Sequence, residues 1–397
     1  MHNSQVKTGF GAVGLQFACF VTYLFVCLLR IRESYDRLPP DPGFWFIEQA
    51  RDRPLLQVFN PQDGFIHIAP RLMYEAVVFF DFALQAVISS VLMQLVFALT
   101  AFLVFKVVKL EKNNSLVAFF SGLIITLIPA ASESTVGNLG SVKWPLTICL
   151  VFVFASKKFQ KEYPTVSLFL IVLVGLSQPY SIFLLAFTMV KNFFTRKFFE
   201  FSVFEVILFL TFLTQAATWL GSGVALQKYG EPTYLPWSGM GLFWYSIWLT
   251  PFLSSIFVLT VCAILSRFFR KHLGFEARLA IAAALFSLFS YLQLGIKDSS
   301  AVAPQGISWI ALLLVILAFR SLIANYLFRI FLVSLISLMA VSSAKWFFSS
   351  WYLSSGPTWS SEVKEARNRC RENRLESTVI VQFMGDKSFL CSEIVSN

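Results

Sequence analysis

Asp41-Pro42-Gly43-Phe44-Trp45 and Asp63-Gly64-Phe65-Ile66-His67-Ile68-Ala69-Pro70-Arg71-Leu72 share one loop, Arg30 to Leu72, between the first and second membrane-length apolar runs of the chain. Two helices that merely cross a bilayer can be joined by a handful of residues. This loop instead gathers acids, a histidine, arginines and aromatic rings on one side of the bundle. The chain therefore reads as membrane helices carrying a built-up, water-facing surface, and the search for function starts there.

Composition supports that reading. Of 397 residues, 57% are hydrophobic, 17% aromatic and only 14% charged, with mean hydropathy +0.69. Soluble domains carry roughly a quarter charged residues, so an integral membrane protein is expected. The first apolar run, Phe10 to Leu29, has only Lys7 ahead of it and no small-residue cleavage site, and many similar runs follow. It reads as a retained helix rather than a signal peptide. The net charge of +10 does not indicate nucleic acid, because the bases fall in short clusters between apolar runs.

Those clusters predict a topology. Lys106/Lys109/Lys112, Lys157/Lys158/Lys161, Lys191/Arg196/Lys197 and Arg267/Arg270/Lys271/Arg278 recur at alternate connections, whereas the others hold isolated bases such as Lys143, Lys228 and Lys297. The positive-inside rule makes the clusters cytoplasmic. The amino terminus is then inside and the 30–72 loop outside. That loop balances Arg30, Arg32, Arg37, Arg51, Arg53 and Arg71 against Glu33, Asp36, Asp41, Glu48, Asp52 and Asp63, so it does not disturb the assignment.

About eleven spans are expected, making an all-α polytopic membrane protein over residues 1–345. They lie near 10–29, 84–108, 115–131, 143–156, 165–176, 179–190, 203–220, 241–266, 277–295, 306–319 and 325–345. A helix crossing the hydrocarbon needs about 20 residues, and the spans at 143–156, 165–176 and 179–190 are shorter. The break at Gly175-Leu176-Ser177-Gln178-Pro179 splits one apolar stretch. Broken backbone at membrane depth survives only where protein or a wet cavity satisfies it. Short paired helices thus point either to a cavity or to a tight hairpin in a thin bilayer.

An odd number of spans puts the tail, 346–397, outside. Residues 360–376 read as a charged surface helix and Val379 to Phe383 as a strand, with a turn at Gly385-Asp386 before Phe389-Leu390-Cys391. Cys19, Cys27, Cys149 and Cys262 sit in apolar spans, whereas Cys370 and Cys391 are the pair in polar sequence on the expected outer side. A disulfide persists there, and one is expected, the alternative being two unrelated thiols. Closing that loop would contribute roughly 3 kcal/mol.

Several residues are candidates for chemistry. Asp41 precedes Pro42 and a helix-permissive stretch, which suits an N-cap with proline at the first helical position. A cap also points its carboxylate out of the helix end, so a catalytic role is compatible. Asp36 is a second candidate, with Arg37 as a plain ion-pair partner. His67 and Arg71 stand four apart and share a face if that segment is helical. The planar fork of Arg71 suits an oxyanion. A second outer loop offers Glu133, Asn138, Lys143 and Trp144: Lys143 to meet a phosphate or mark the interface, Trp144 to anchor at the bilayer surface. A third, Gly221 to Gly241, carries Glu231, Tyr229, Tyr234 and Trp237, which suit sugar rings or lipid headgroups. No phosphate-cradling glycine loop or nucleophile elbow is present, and His2, His67 and His272 are too scattered for a zinc site. No residue pattern indicates a divalent metal or another cofactor.

With its first helix, long outer loop with an early Asp, and helices of uneven length, the chain resembles the GT-C superfamily of integral-membrane glycosyltransferases. Asp41-Pro42-Gly43-Phe44 is similar to the Asp-Pro-aromatic start of the first outer loop in oligosaccharyltransferase catalytic subunits. A closer resemblance is to uncharacterised bacterial GT-C-like proteins. Their Gly-Tyr-Leu-His-x-x-Pro-Arg-Leu is matched by Gly64 to Leu72, their Asn-x-x-x-x-Trp by Asn138 to Trp144 with one residue more, and their Ser-x-Pro-aromatic break by Ser177 to Tyr180. Trp359, Cys370 and Leu390-Cys391 resemble that group's ending. Where the group commonly has Pro-Arg-Tyr, this chain has Ala303-Pro304-Gln305-Gly306, so one anion contact is missing.

The resemblance implies a bacterial inner-membrane enzyme with a cytoplasmic amino terminus and an extracytoplasmic tail. Its partners would be a polyprenyl-phosphate sugar donor, an envelope glycan or glycolipid acceptor and membrane lipids. Asp41, with Asp36 in reserve, would be the general base. His67, Arg71, Lys143 and Trp144 would bind substrate, the cations stabilising the departing phosphate. The rival expectation is a transporter, a flippase or a non-catalytic assembly factor for lipid-linked sugars.

Overall fold

Apolar runs become helices wherever the computed structural model describes the chain, namely over residues 10–38, 43–52, 56–62, 64–128, 137–178, 184–185, 201–222, 274–294, 298–318, 326, 330, 333, 337, 347, 356–373, 377–380 and 387–395. Asp41, Glu133, the Pro179-Tyr180 pair, the 241–266 span, most of the 179–190 and 325–345 spans, and nearly all of the Gly221–Gly241 loop lie outside the described residues.

Among the described residues the helices are, in chain order, α1 (Phe10–Arg30), α2 (Gly43–Asp52), α3 (Ile68–Val77), α4 (Gln85–Lys112), α5 (Ser115–Thr126), α6 (Lys143–Ala155), α7 (Lys157–Glu162), α8 (Pro164–Gly175), α9 (Val203–Gly221), α10 (Gly274–Leu294), α11 (Asp298–Ala318), α12 (Trp359–Asn373) and α13 (Cys391–Val395). Three of them are long and apolar enough to cross a membrane, over Val13–Arg30, Phe82–Lys112 and Val203–Gly221, the second including the 3₁₀ turn ahead of α4. Ser115–Thr126, Leu139–Ala155, Pro164–Gly175 and Gln305–Ala318 are shorter apolar helices. α4 runs four residues beyond the expected 108, to Lys112, where Asn113 turns left-handed (φ 51°) and ends it. The Asn114 side chain then accepts from Leu116 N and Val117 N and starts α5, so two asparagines make a tight helical hairpin.

The short helix α6 is the centre of the bundle. Trp144 through Val153 are buried on all sides, and α4, α8, α10 and α11 pack around it. A helix apolar all round belongs inside. α1 and α9 lie at the periphery: only 22% and 17% of their spanning segments are buried, against 61% for α4. Their outward side chains, Phe17 and Phe25 on α1 and Phe209 and Leu213 on α9, are apolar and suit lipid. α1, α4 and α5 approach closely at Gly122, where a Cβ would collide with the Tyr23 ring and the Ala101 carbonyl. Arg30, fully buried at the end of α1, donates to Thr126 O, Ile128 O and Phe347 O and closes the carboxyl end of α5.

The tail docks on the loop end of this bundle. Trp359 Nε1 donates to Phe82 O, and its ring packs on Phe82 and Phe389. Arg367 pairs with Asp81 at 2.9 Å. β1 (Ser377–Ile380) and β2 (Lys387–Leu390) form an antiparallel hairpin, with Ser377 opposite Leu390. A disulfide joins Cys370 in α12 to Cys391 at the start of α13.

Candidate functional site

The site forms where the long loop turns down into the bundle to start α3. Gln62 and Phe65 exchange two backbone hydrogen bonds in a tight reversal, and Gly64 within it has φ +82°. A Cβ on Gly64 would lie 2.7 Å from Trp219 Cδ1, so glycine satisfies both the backbone angle and the close approach to α9. Next, Ile66 is held at both polar atoms: its N donates to Gln215 Oε1 and its O accepts from Gln215 Nε2. The same amide nitrogen reaches Gly175 O at the end of α8.

The break after Gly175 completes the start of α3. Ala69 N donates to Ser177 Oγ at 2.8 Å, and Ile68 N to Leu176 O. The Gly175 and Leu176 carbonyls and the Ser177 hydroxyl at the broken end of α8 are thus bonded by other segments of protein, as an interrupted helix in an apolar bundle requires. Pro70 sits at the third helical position of α3, where its missing N–H removes no intrahelical bond.

α3 buries Arg71, Tyr74 and Glu75. Phe46 of α2 is their platform: it stacks on Tyr74 (5.6 Å between centroids), meets His67 edge-on (6.2 Å) and lies under the Arg71 guanidinium (5.2 Å). The turn Leu139–Ser141, braced by Asn138 Oδ1 accepting from Gly140 N, packs against α2 and α3 and leads into Lys143 at the start of α6. The Lys143 ammonium lies 5.6 Å from the Trp144 ring and acts electrostatically on His67.

The structure therefore brings His67, Arg71, Lys143 and Trp144 into one neighbourhood. Burial first, then Lys143 and Arg71, push the His67 imidazole down to about 3, so it is neutral throughout the physiological range. Burial also lowers the Arg71 value, with Glu75 opposing, and raises that of the Tyr74 phenol. Arg71 Nε and Nη2 and both carboxylate oxygens of Glu75 are buried and have no hydrogen-bond partner among the described residues. Desolvated charges of that kind are costly unless something satisfies them. A site with unspent donors and acceptors can hold a polar, anionic ligand.

In comparisons with known proteins, no family model, no curated protein and no solved structure matches the chain.

Asp36 lies apart from the cationic cluster in its bonding. Its Oδ1 accepts from Ser360 N, its Oδ2 from Ser360 Oγ, and its backbone O from Trp359 N. It caps α12 from a distant part of the chain, and Arg37 beside it donates to the Gly356 and Pro357 carbonyls. Gln305, at the place of the missing arginine, is buried in α11. Sequence reasoning did not find Phe46, Tyr74, Glu75 or Gln215. The spacing of Glu75, four residues after Arg71, was the one available signal, but it lies past Leu72 at the edge of an apolar run.

Proposed function

We propose that this chain is a GT-C-like protein of a bacterial inner membrane, with about eleven spans and the loop end facing outward. It transfers a sugar from a polyprenyl-phosphate donor to an envelope glycan or glycolipid. The observation that carries this reading is the buried Arg71 guanidinium, with unpartnered Nε and Nη2, beside His67 and Lys143. Such a fork grips a phosphate bidentately.

In the proposed reaction the acceptor hydroxyl oxygen bonds to the anomeric carbon while the bond from that carbon to the phosphate oxygen breaks. The hydroxyl proton passes to Asp41, which is preferred as base because the Asp36 carboxylate already caps the tail helix. The electron pair leaves on the polyprenyl phosphate, and Arg71 and Lys143 stabilise that growing charge. Neutral His67 adds no charge, and its ring, hydrogen-bonded to the backbone of Ser177 and Gln62, fixes the loop beside Arg71, while Trp144 backs Lys143. The lipid tail lies among the apolar helices.

A second reading, transport or flipping of a lipid-linked sugar, is favoured by the unpartnered buried carboxylate of Glu75, since buried ionisable groups in membrane bundles often mark transport paths. Mass spectrometry of envelope glycans and lipid-linked sugars separates the two, in cells with the native protein, Asp41→Asn or a deletion. Transfer predicts that Asp41→Asn inserts normally, loses the same sugar as the deletion and accumulates donor lipid. A native profile from Asp41→Asn, with a changed profile from the deletion, would favour transport or assembly.

A further inference from the structure

We infer that Glu75 binds a hydroxyl group of the same ligand whose phosphate lies on Arg71, so that the site selects a hydroxyl-bearing phosphate ester such as a sugar phosphate over bare phosphate. This rests on the reading of Arg71 as a phosphate contact and adds the group that recognises the sugar.

Glu75 is 4% exposed, Arg71 3%, and they stand one helical turn apart on the buried face of α3. At that spacing their Cβ atoms are ~5–6 Å apart, comparable to the reach from an anomeric phosphate to a ring hydroxyl of one hexose. The two side chains influence each other electrostatically, yet among the described residues neither Glu75 oxygen makes a hydrogen bond, and Arg71 Nε and Nη2 make none. On α4, which packs against α3, Ser89 Oγ and Gln94 Nε2 are likewise buried without partners among the described residues.

A second anion would be repelled by Glu75. A metal ion would meet a single carboxylate beside a guanidinium, and among the described residues no group of three His, Cys, Asp or Glu could hold one. A hydroxyl suits the carboxylate because it donates to it, while the phosphate of the same molecule accepts from Arg71. A buried acceptor built for a hydroxyl discriminates strongly, because an analogue lacking it leaves the carboxylate unpaired.

The test is binding to the purified full chain in detergent, read as thermal-shift titrations with inorganic phosphate and with gluco-, galacto-, manno- and N-acetylhexosamine 1-phosphates. The native protein should prefer at least one sugar phosphate over inorganic phosphate by about 10- to 100-fold, the range of one hydrogen bond to a charged group. Glu75→Gln should lose that preference while still binding inorganic phosphate, and Arg71→Gln should lose both. Equal binding of all probes by the native protein overturns the inference without needing a variant. A preference that survives in Glu75→Gln overturns it too. Inorganic phosphate that fails to bind, or that binds Arg71→Gln as well as native, overturns the phosphate reading of Arg71 itself.

Discussion

Gln215 of α9 holds both backbone polar atoms of Ile66, accepting from its N at 2.9 Å and donating to its O at 3.0 Å. Gln215 lies six residues before the end of α9, ~9 Å along a helix rising 1.5 Å per residue. The loop thus reaches well below the end of that helix before α3 begins. Replacing Gln215 with Leu strands buried backbone groups and is expected to cost about 2–4 kcal/mol. Thermal unfolding in detergent measures it. An unchanged midpoint would mean that the loop does not depend on this anchor.

Gly64→Ala tests the same junction from the loop side. Its φ of +82° strains any L side chain, and the new Cβ would press on Trp219. A loss of about 1–3 kcal/mol is expected, together with weaker phosphate binding as α3 shifts. Relief by Trp219→Ala in the double variant would show that the contact, rather than the angle alone, sets the cost.

His67 gives a pH dependence of defined sign. Its folded value, about 3, lies below the ordinary 6.5, so the unfolded chain takes up the proton first. His67 contributes no penalty above pH 6.5, and below it stability falls by up to about 1.4 kcal/mol per pH unit until about pH 3. Between pH 7.5 and pH 5.5 the thermal midpoint of the native protein should fall further than that of His67→Gln, by the equivalent of about 1.4 kcal/mol. Parallel pH profiles for the two proteins would rule out a buried neutral imidazole.

The disulfide should hold the tail on the loop. Cys370 and Cys391 close a loop of sequence separation 21, worth roughly 3 kcal/mol in the chain-entropy model. Replacing both with Ser should speed limited proteolysis within 359–395 while cleavage elsewhere keeps its native rate. Because Ser360 and Trp359 bond to Asp36, the same change should also raise hydrogen exchange near Asp36. Unaltered cleavage of the tail would show that Trp359 and Arg367 suffice to dock it.

Local sequence carried most of the helical layout. The apolar run at 10–29 is α1 and the run at 203–220 is α9, whereas the segment holding His67 and Arg71 turns helical only from Ile68, which leaves His67 at the N-cap position of α3. The residues it passed over are those whose meaning depends on distant partners. Glu75 reads as a charge at the edge of an apolar run until α3 is seen to bury it. Gln215 reads as a lone polar residue in a lipid-facing helix until Ile66 is seen beside it. Asp36 reads as a reserve base or an ion-pair partner of Arg37 until the tail helix, more than three hundred residues later, settles on it.

What the sequence by itself determined is set by local chemistry: long apolar runs fold as helices in an apolar surrounding because a helix pairs its backbone groups within one segment, and glycine or asparagine stands where φ is positive. Only the tertiary structure decided that Phe46, His67, Arg71, Glu75 and Lys143 meet. Their convergence depends on the start of α3 being held by Ser177 at the end of α8 and by Gln215 within α9, and on α6 being buried at the centre with Lys143 at its start. Packing between segments far apart in the chain sets those distances, and no local pattern encodes them.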